Sequence, residues 1–225
     1  MIPIRSSEPP RSIAFVTAGL IALNLFIFLF ELSRSPVERE VLMVHYGTIA
    51  DRIHWETLVT SMFLHSGWWH LIGNMWFLWV YGRNIEDLFG HVKYFFFYLA
   101  GGIVAGLIQM ASDPHSVIPT IGASGAIAGV MGAYLNKLPQ SRIVTIVFLF
   151  IFFTTIELPA YFPLIYWFVI QFFNGVGSLE SRQLGGHIAW FAHIGGFIGG
   201  WLMARMIQTR TRYAWRPPVH SERRP

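Results

Sequence analysis

The sequence predicts an all-α membrane protein built as a bundle of six transmembrane helices. Three observations predict it: an apolar composition, long uncharged runs, and a one-sided distribution of basic residues. Hydrophobic residues make up 54% of the 225-residue chain, charged residues make up 12%, and the mean hydropathy is +0.49. These values are too apolar and too poor in charge for a soluble domain of this length.

Apolar runs of helical length recur along the chain. Residues 13–30 carry no charge and are long enough to cross roughly 30 Å of hydrocarbon as a helix. A cleaved signal peptide is the alternative for this run, but no small-x-small cleavage site follows it. The predicted spans are residues 13–31, 68–82, 94–112, 123–137, 159–176 and 186–204. They lie in a membrane domain at residues 12–208, between a cytoplasmic tail at 1–11 and a basic cytoplasmic tail at 209–225.

The segment 143–156 is open to more than one interpretation. It is an apolar run rich in Phe, Ile and Val, and Glu157-Leu-Pro159 separates it from the next run. It could form a span of its own, or a re-entrant or interfacial segment ahead of a span. Its length is short for a crossing of the bilayer as a helix.

The basic residues distinguish six spans from seven. With six spans and the N-terminus inside the cell, twelve of the sixteen Lys and Arg residues lie on the cytoplasmic side, which is the bias that the positive-inside rule describes. A seventh span would move the basic C-terminal cluster outside. We therefore attribute the net charge of +4 to membrane topology, and no nucleic-acid partner is predicted.

Polar side chains inside apolar spans are expensive, so they mark candidate functional positions. His70 and Asn74 are four residues apart in the second predicted span, which places both on one face of a helix. Both can donate hydrogen bonds to a substrate. The alternative is that they only bridge neighbouring helices.

Ser124 lies at the predicted start of the fourth span, in Gly122-Ala-Ser-Gly125. A helix that begins here places the serine near unsatisfied backbone N–H groups, which suit a developing oxyanion. Gly122 and Gly125 allow a substrate backbone to approach closely. The alternative is ordinary packing of small residues between membrane helices.

His193 lies in the last predicted span, ahead of Gly196 and Gly200. The Gly-x-x-x-Gly step there, and the one that begins at Gly125, allow two helices to pack closely. Such packing would bring Ser124 within hydrogen-bond reach of His193, and a neutral histidine is the usual base for a serine nucleophile. With six spans, both side chains lie a short distance below the same outer surface. A lone His in a span could instead ligate a metal or relay protons.

Three motifs occur in order between about residues 55 and 205: Thr60-Ser-Met-Phe-Leu-His65-x-x-x-x-His70-x-x-x-Asn74, Gly122-Ala-Ser-Gly125 and Ala192-His193-x-x-Gly196-x-x-x-Gly200. Each motif is weak alone, but the three in this order are specific. In these residues the sequence resembles the rhomboid family of intramembrane serine proteases.

The resemblance implies a role for each of these side chains. Ser124 would attack the scissile carbonyl, and His193 would act as general base and then as general acid, with no third acidic member. The Ser124 N–H, His70 and Asn74 would form the oxyanion hole, and His65 would organise the polar groups nearby. The glycines of the second and third motifs would support this site, and Glu86 would be structural.

The resemblance also implies an architecture and a cellular setting. It implies a rhomboid-type six-helix bundle whose first loop, residues 31–57, associates with the membrane, and whose fifth span is a lateral gate. The partners would be the lipid bilayer and single-span membrane protein substrates, and neither a metal nor an organic cofactor is expected. By analogy the protein would lie in a prokaryotic plasma membrane with both termini in the cytoplasm.

Two residues depart from the family pattern, and two other functions compete with proteolysis. Members often carry Arg after a Trp in the first loop, whereas Glu56 follows Trp55 here, and some carry an aromatic residue beneath the histidine, where this chain has Ala128. The departures concern loop anchoring and the neighbours of His193. An inactive rhomboid-like protein that binds membrane clients is one alternative function, and a small channel or proton transporter is the other. The chain contains no cysteine, which excludes a thiol nucleophile.

Overall fold

The computed structural model describes residues 1–149, 152–181 and 188–209 of the chain. The helices are α1 (Phe15–Leu32), α2 (Pro36–Tyr46), α3 (Thr57–Thr60), α4 (Trp68–Phe77), α5 (Arg83–Phe89), α6 (His91–Ser112), α7 (Ser124–Lys137), α8 (Tyr161–Ser181) and α9 (Trp190–Met206). The strands are β1 (Ile2–Ser6), β2 (Arg142–Leu149) and β3 (Phe152–Pro159). The first residues of the sixth predicted span, at 186 and 187, and most of the predicted basic tail lie outside the described residues.

Two of the helices within the described ranges have the length and hydropathy of a membrane span. They are α1 and α6. Both consist mainly of apolar residues, and large apolar side chains of α1, such as Phe26, remain exposed on the surface of the protein. Exposed apolar side chains along a long helix are expected where lipid, rather than water, surrounds it. The other predicted spans fall on α4, α7, α8 and α9, and whether each of these crosses the bilayer remains a prediction.

The second predicted span is longer in the structure than in the sequence analysis. A π-helical turn at Leu78–Gly82 connects α4 to α5, so the helical segment continues to Phe89. Gly90 then ends it in a left-handed conformation, with φ of 79°, before α6 begins. Arg83 marked the predicted end of the span, but the helix continues past it and buries the next two charged residues, Glu86 and Asp87.

Glu86 and Asp87 of α5 hold the start of α1. Glu86 is fully buried and accepts hydrogen bonds from the Val16 N–H at 2.8 Å and from the Thr17 N–H at 2.8 Å. Asp87 accepts from the Arg11 N–H at 3.1 Å. The N-cap residue of α1 is an alanine without a side-chain hydrogen bond, so the Glu86 carboxyl group satisfies N–H groups that a helix start leaves free. Asp87 binds the backbone just ahead of the helix.

The prediction of an all-α protein is wrong in one region, where the strands form an antiparallel sheet. The sheet order is β1-β2-β3, and the register pairs Ser6 with Ile143 and Ile143 with Leu158. The segment 143–156 is thus neither a helical span nor a helical re-entrant segment over its described part. It is too short for a span and rich in β-branched residues, which favour a pleated strand. The Trp76 indole N–H donates to the Pro3 carbonyl at 2.6 Å and attaches the sheet to α4.

The first loop contains the short helix α2. Ser35 and Glu38 form a capping box at its start, in which each side chain accepts a hydrogen bond from the other residue's backbone N–H. The Ser35 hydroxyl and N–H hold the pKa of the exposed Glu38 carboxyl below its ordinary value. No residue of α2 is buried, and Val37 and Val41 are exposed. This apolar exposure agrees with a loop that associates with the membrane, which remains a prediction.

Helix α7 lies at the centre of the protein and packs against α9 through glycines. Most of its residues are buried. The backbones of Gly125 and Gly129 contact those of Gly196 and Gly200, so that a side chain on either α9 glycine would overlap an α7 carbonyl group. Only residues without a Cβ allow two helices to approach this closely. This contact fixes the position of α9 along the axis of α7.

Candidate active site

Ser124 is the first residue of α7 and follows a turn in which Gly122 has a positive φ. Gly122 has φ of 114°, a left-handed conformation that favours glycine, and its N–H donates to the Ser61 carbonyl at 2.8 Å. A Cβ on Gly122 would lie 2.7 Å from the His70 ring, so a larger residue does not fit here. The turn therefore presents Ser124 at the start of a helix, where backbone N–H groups have no partner within the helix.

Ser124 and His193 are hydrogen-bonded to each other. The Ser124 Oγ lies 2.8 Å from the His193 Nε2. His193 is the fourth residue of α9, and the Gln109 Oε1 of α6 accepts the neighbouring Ala192 N–H at 3.0 Å. The glycine contacts between α7 and α9 begin at Gly125, next to Ser124, and place Ser124 and His193 at the same level along the two helices. The arrangement allows a serine hydroxyl to transfer its proton to an imidazole.

The other nitrogen of His193 contacts Gln171 of α8. The Nδ1 lies 2.7 Å from the Gln171 Oε1. The rings of Trp167 and Trp190 lie 5.7 and 6.1 Å from the His193 ring, between centroids. Gln171 is 6% exposed. Gln171 is not among the site residues predicted from the sequence, although an amide within a largely apolar run is the same signal that indicated Asn74.

His65, His70 and Asn74 form a second group of polar side chains, and two of them, His70 and Asn74, line the same cavity as Ser124. The Asn74 Nδ2 lies 3.0 Å from the His65 Nε2, and the His70 Nδ1 lies 3.2 Å from the Ser66 hydroxyl. The rings of His65 and His70 lie 5.0 Å apart. His65 is fully buried, and its backbone N–H donates to Glu31 of α1 at 3.4 Å. Helix α1 thus supports the histidine that holds the Asn74 amide in place.

A cavity of about 650 Å³ joins these two groups of side chains. Its lining includes His70, Asn74, Ser124, Trp167 and His193. This volume lies within the usual range for a small-molecule or peptide side-chain site. A group bound next to the Ser124 hydroxyl would face the base on one side and amide or imidazole donors on the other.

The protein-family sequence model called Rhomboid domain matches residues 52–210 of the chain. The chain belongs to the rhomboid family. Members of this family are helical proteins that are integral to membranes, in agreement with the apolar helices described above. The residues that line the cavity, from Ser66 to His193, all lie inside the matched region.

Several rhomboid relatives are similar to this chain over part of their length. The mitochondrial presenilin-associated rhomboid-like protein of Bos taurus is 30% identical over 133 residues, which cover 57% of this chain and 34% of that protein. The rhomboid protease GluP of Bacillus subtilis is 34% identical over 127 residues, which cover 54% of this chain and 24% of that protein. The RHOMBOID-like protein 7 of Arabidopsis thaliana is 27% identical over 170 residues, which cover 76% of this chain and 48% of that protein. The chain therefore spans less than half of each of these relatives.

The two departures from the rhomboid pattern have local consequences in the structure. Ala128 is fully buried and offers no ring beneath His193, and the histidine is instead held by Gln171 and two tryptophans. Glu56 precedes α3, and its carboxyl group lies 3.8 Å from the His54 ring on the protein surface. The first departure therefore leaves position 128 without a ring, and the second concerns a residue that does not line the cavity.

Proposed function

We propose that this rhomboid protein is an intramembrane serine protease. It hydrolyses a peptide bond near the outer end of the transmembrane helix of a single-span membrane protein. The observation that carries the proposal is the 2.8 Å contact between the Ser124 hydroxyl and the His193 Nε2. The name of one relative, the rhomboid protease GluP, supports the same reaction. The residue types suffice for acyl transfer, so the proposal requires neither metal nor organic cofactor.

The reaction proceeds in two acyl-transfer steps. The His193 Nε2 accepts the proton of the Ser124 hydroxyl while the oxygen attacks the scissile carbonyl carbon. The tetrahedral intermediate then breaks its C–N bond, and His193 returns the proton to the leaving amine, which leaves an acyl-enzyme. A water molecule then gives a proton to His193 while its oxygen attacks the ester carbonyl. His193 passes that proton to the Ser124 oxygen as the ester bond breaks, which releases the acid product and restores both side chains.

His70 and Asn74 are proposed to stabilise the negatively charged oxygen of the intermediate, together with the Ser124 N–H. Both side chains line the cavity that contains Ser124. The contact between Asn74 and His65 holds the amide before substrate binds, and donors that are already in place contribute most to such stabilisation. A peptide in a helix shields its own carbonyl groups, so the substrate is expected to contain small or helix-breaking residues at the cut.

The proposed protein crosses the bilayer six times and has both termini in the cytoplasm. The positive-inside bias supports this topology, and it places Ser124 and His193 near the outer surface. A prokaryotic plasma membrane is the proposed location. The client-binding alternative leaves the contact between Ser124 and His193 without a purpose, which is why we prefer proteolysis.

Cleavage of a single-span substrate by the purified protein in detergent tests the proposal. We expect the wild-type chain to cut the substrate at one position near the outer end of its helix, as mass spectrometry of the products would establish. The variant Ser124→Ala should bind the substrate without cutting it. Equal cleavage by this variant, or a folded wild-type chain that cuts none of a panel of single-span substrates, would overturn the proposal.

Asn74→Ala is expected to lower kcat about 100-fold with little change in KM, because one oxyanion donor contributes only in the transition state. Steady-state kinetics with the same substrate measure both constants. Ile72→Val, on the exposed face of the same helix and outside the cavity, is the control and should retain wild-type kinetics. A rise in KM without a fall in kcat would show that Asn74 binds the substrate rather than the oxyanion.

A further inference from the structure

Gln171 is a buried amide in the middle of helix α8, where most neighbouring side chains are apolar. It is 6% exposed, and its Oε1 lies 2.7 Å from the Nδ1 of His193. The mechanism above uses only the other ring nitrogen. A buried polar group inside an apolar helix is costly unless it is hydrogen-bonded, so this contact explains why an amide is tolerated in α8.

The same face of α8 packs against α9 above and below Gln171. Phe168 contacts the ring of Phe197, with 4.9 Å between centroids, and Trp167 lies against the His193 ring. One turn after Gln171, Gly175 lies against Ile194, since a Cβ there would be 3.1 Å from the end of that side chain. Residues spaced by three or four positions share a helical face. The position of Gln171 is therefore determined by packing on both sides.

In the orientation of the Gln171 amide that places Oε1, rather than the NH2 group, against Nδ1, the contact fits one tautomer of His193. A neutral imidazole carries one N–H, and the other nitrogen is an acceptor. An amide oxygen is only an acceptor, so the Nδ1 that faces it must carry the hydrogen. The Nε2 is then free to accept the proton of Ser124, which the reaction requires. The opposite tautomer would place a hydrogen between Nε2 and the serine oxygen and leave the Nδ1 lone pair facing the Gln171 oxygen.

We propose that Gln171 is a positioning residue that holds His193 in the tautomer and orientation that accept the proton of Ser124. It takes the place that an acidic residue has in soluble serine protease triads, and it acts in a site where Ala128 offers no ring beneath the histidine. Because Gln171 belongs to α8, the orientation of the base depends on the packing of α8 against α9. This inference rests on the proposed protease function.

Two substitutions separate positioning from simple packing. Gln171→Met keeps the length of the side chain but removes the acceptor, and we expect it to lower kcat about 10- to 100-fold with an unchanged KM. Gln171→Glu retains an acceptor oxygen at the same place and should restore kcat to within about threefold of wild type. Phe172→Met, on the exposed face of the same helix, is the matched control and should leave both constants unchanged.

Nitrogen-15 NMR of the histidine side chains provides a readout that does not depend on cleavage. The chain has nine histidines, and the variant His193→Ala identifies the signals of His193. We expect the wild-type ring to carry its hydrogen on Nδ1, and Gln171→Met to shift the ring towards a mixture of tautomers. An unchanged tautomer in Gln171→Met, or equal losses of kcat in Gln171→Met and Gln171→Glu, would overturn the positioning role.

The two proposals fail in different ways. If wild-type protein cuts its substrate and Gln171→Met cuts it equally well, the proposed protease function is supported and the proposed positioning role of Gln171 is wrong. If wild-type protein shows the Nδ1–H tautomer and Gln171→Met loses it, but neither cuts any substrate, the proposed protease function falls and the effect of Gln171 on the ring is supported.

Discussion

Replacing Ser124 by alanine, replacing His193 by alanine, and replacing both together are expected to lower kcat by the same factor, about a million-fold. The two side chains act as one unit, because the serine is a poor nucleophile without the base and the base has no proton to accept without the serine. Removing the second member therefore adds little to the loss caused by the first. The measurement is single-turnover cleavage of a single-span substrate in detergent.

Stability separates this chemical loss from unfolding. The Ser124 hydroxyl contacts His193 and lies beside a cavity, so Ser124→Ala should change the free energy of unfolding by less than about 1 kcal/mol. Labelling with a fluorophosphonate, which attaches to an activated serine, should disappear in Ser124→Ala and fall steeply in His193→Ala. If the double variant lost the product of the two single losses, the residues would act independently and the dyad would be wrong.

Gly200→Ala is expected to destabilise the protein by about 3 kcal/mol or more. The new Cβ would overlap the backbone of Gly129, which cannot rotate away as a flexible side chain could. Helix α9 must then move away from α7, and the separation also carries His193 away from Ser124. We therefore expect kcat to fall as well, even in the fraction of molecules that remain folded.

Gly19→Ala is the matched control for this substitution. A Cβ on Gly19 meets no atom within 4 Å, and alanine is the better helix former by roughly 1 kcal/mol. The control should therefore be as stable as wild type or slightly more so. Unfolding in mixed detergent micelles, monitored by tryptophan fluorescence, measures both variants. Equal stability of Gly200→Ala and Gly19→Ala would show that α7 and α9 are not in backbone contact.

The sequence determined the features of this protein that depend on local patterns. An apolar composition with few charges requires helices surrounded by lipid, because backbone groups in hydrocarbon must be satisfied within the chain. Spacing along one helix placed His70 and Asn74 on a common face. The glycine steps near Ser124 and His193 indicated the close contact of two helices that the structure contains between α7 and α9.

Only the tertiary structure decided the features that depend on partners far along the chain. Residues 142–149 and 152–159 form strands through pairing with each other and with β1, near the N-terminus, and a short apolar run has no period that distinguishes this outcome from a helix. Glu86 holds the start of α1, and Gln171 faces His193. A hydrogen bond between distant residues depends on how helices pack in three dimensions, and the pattern of one segment does not contain that information.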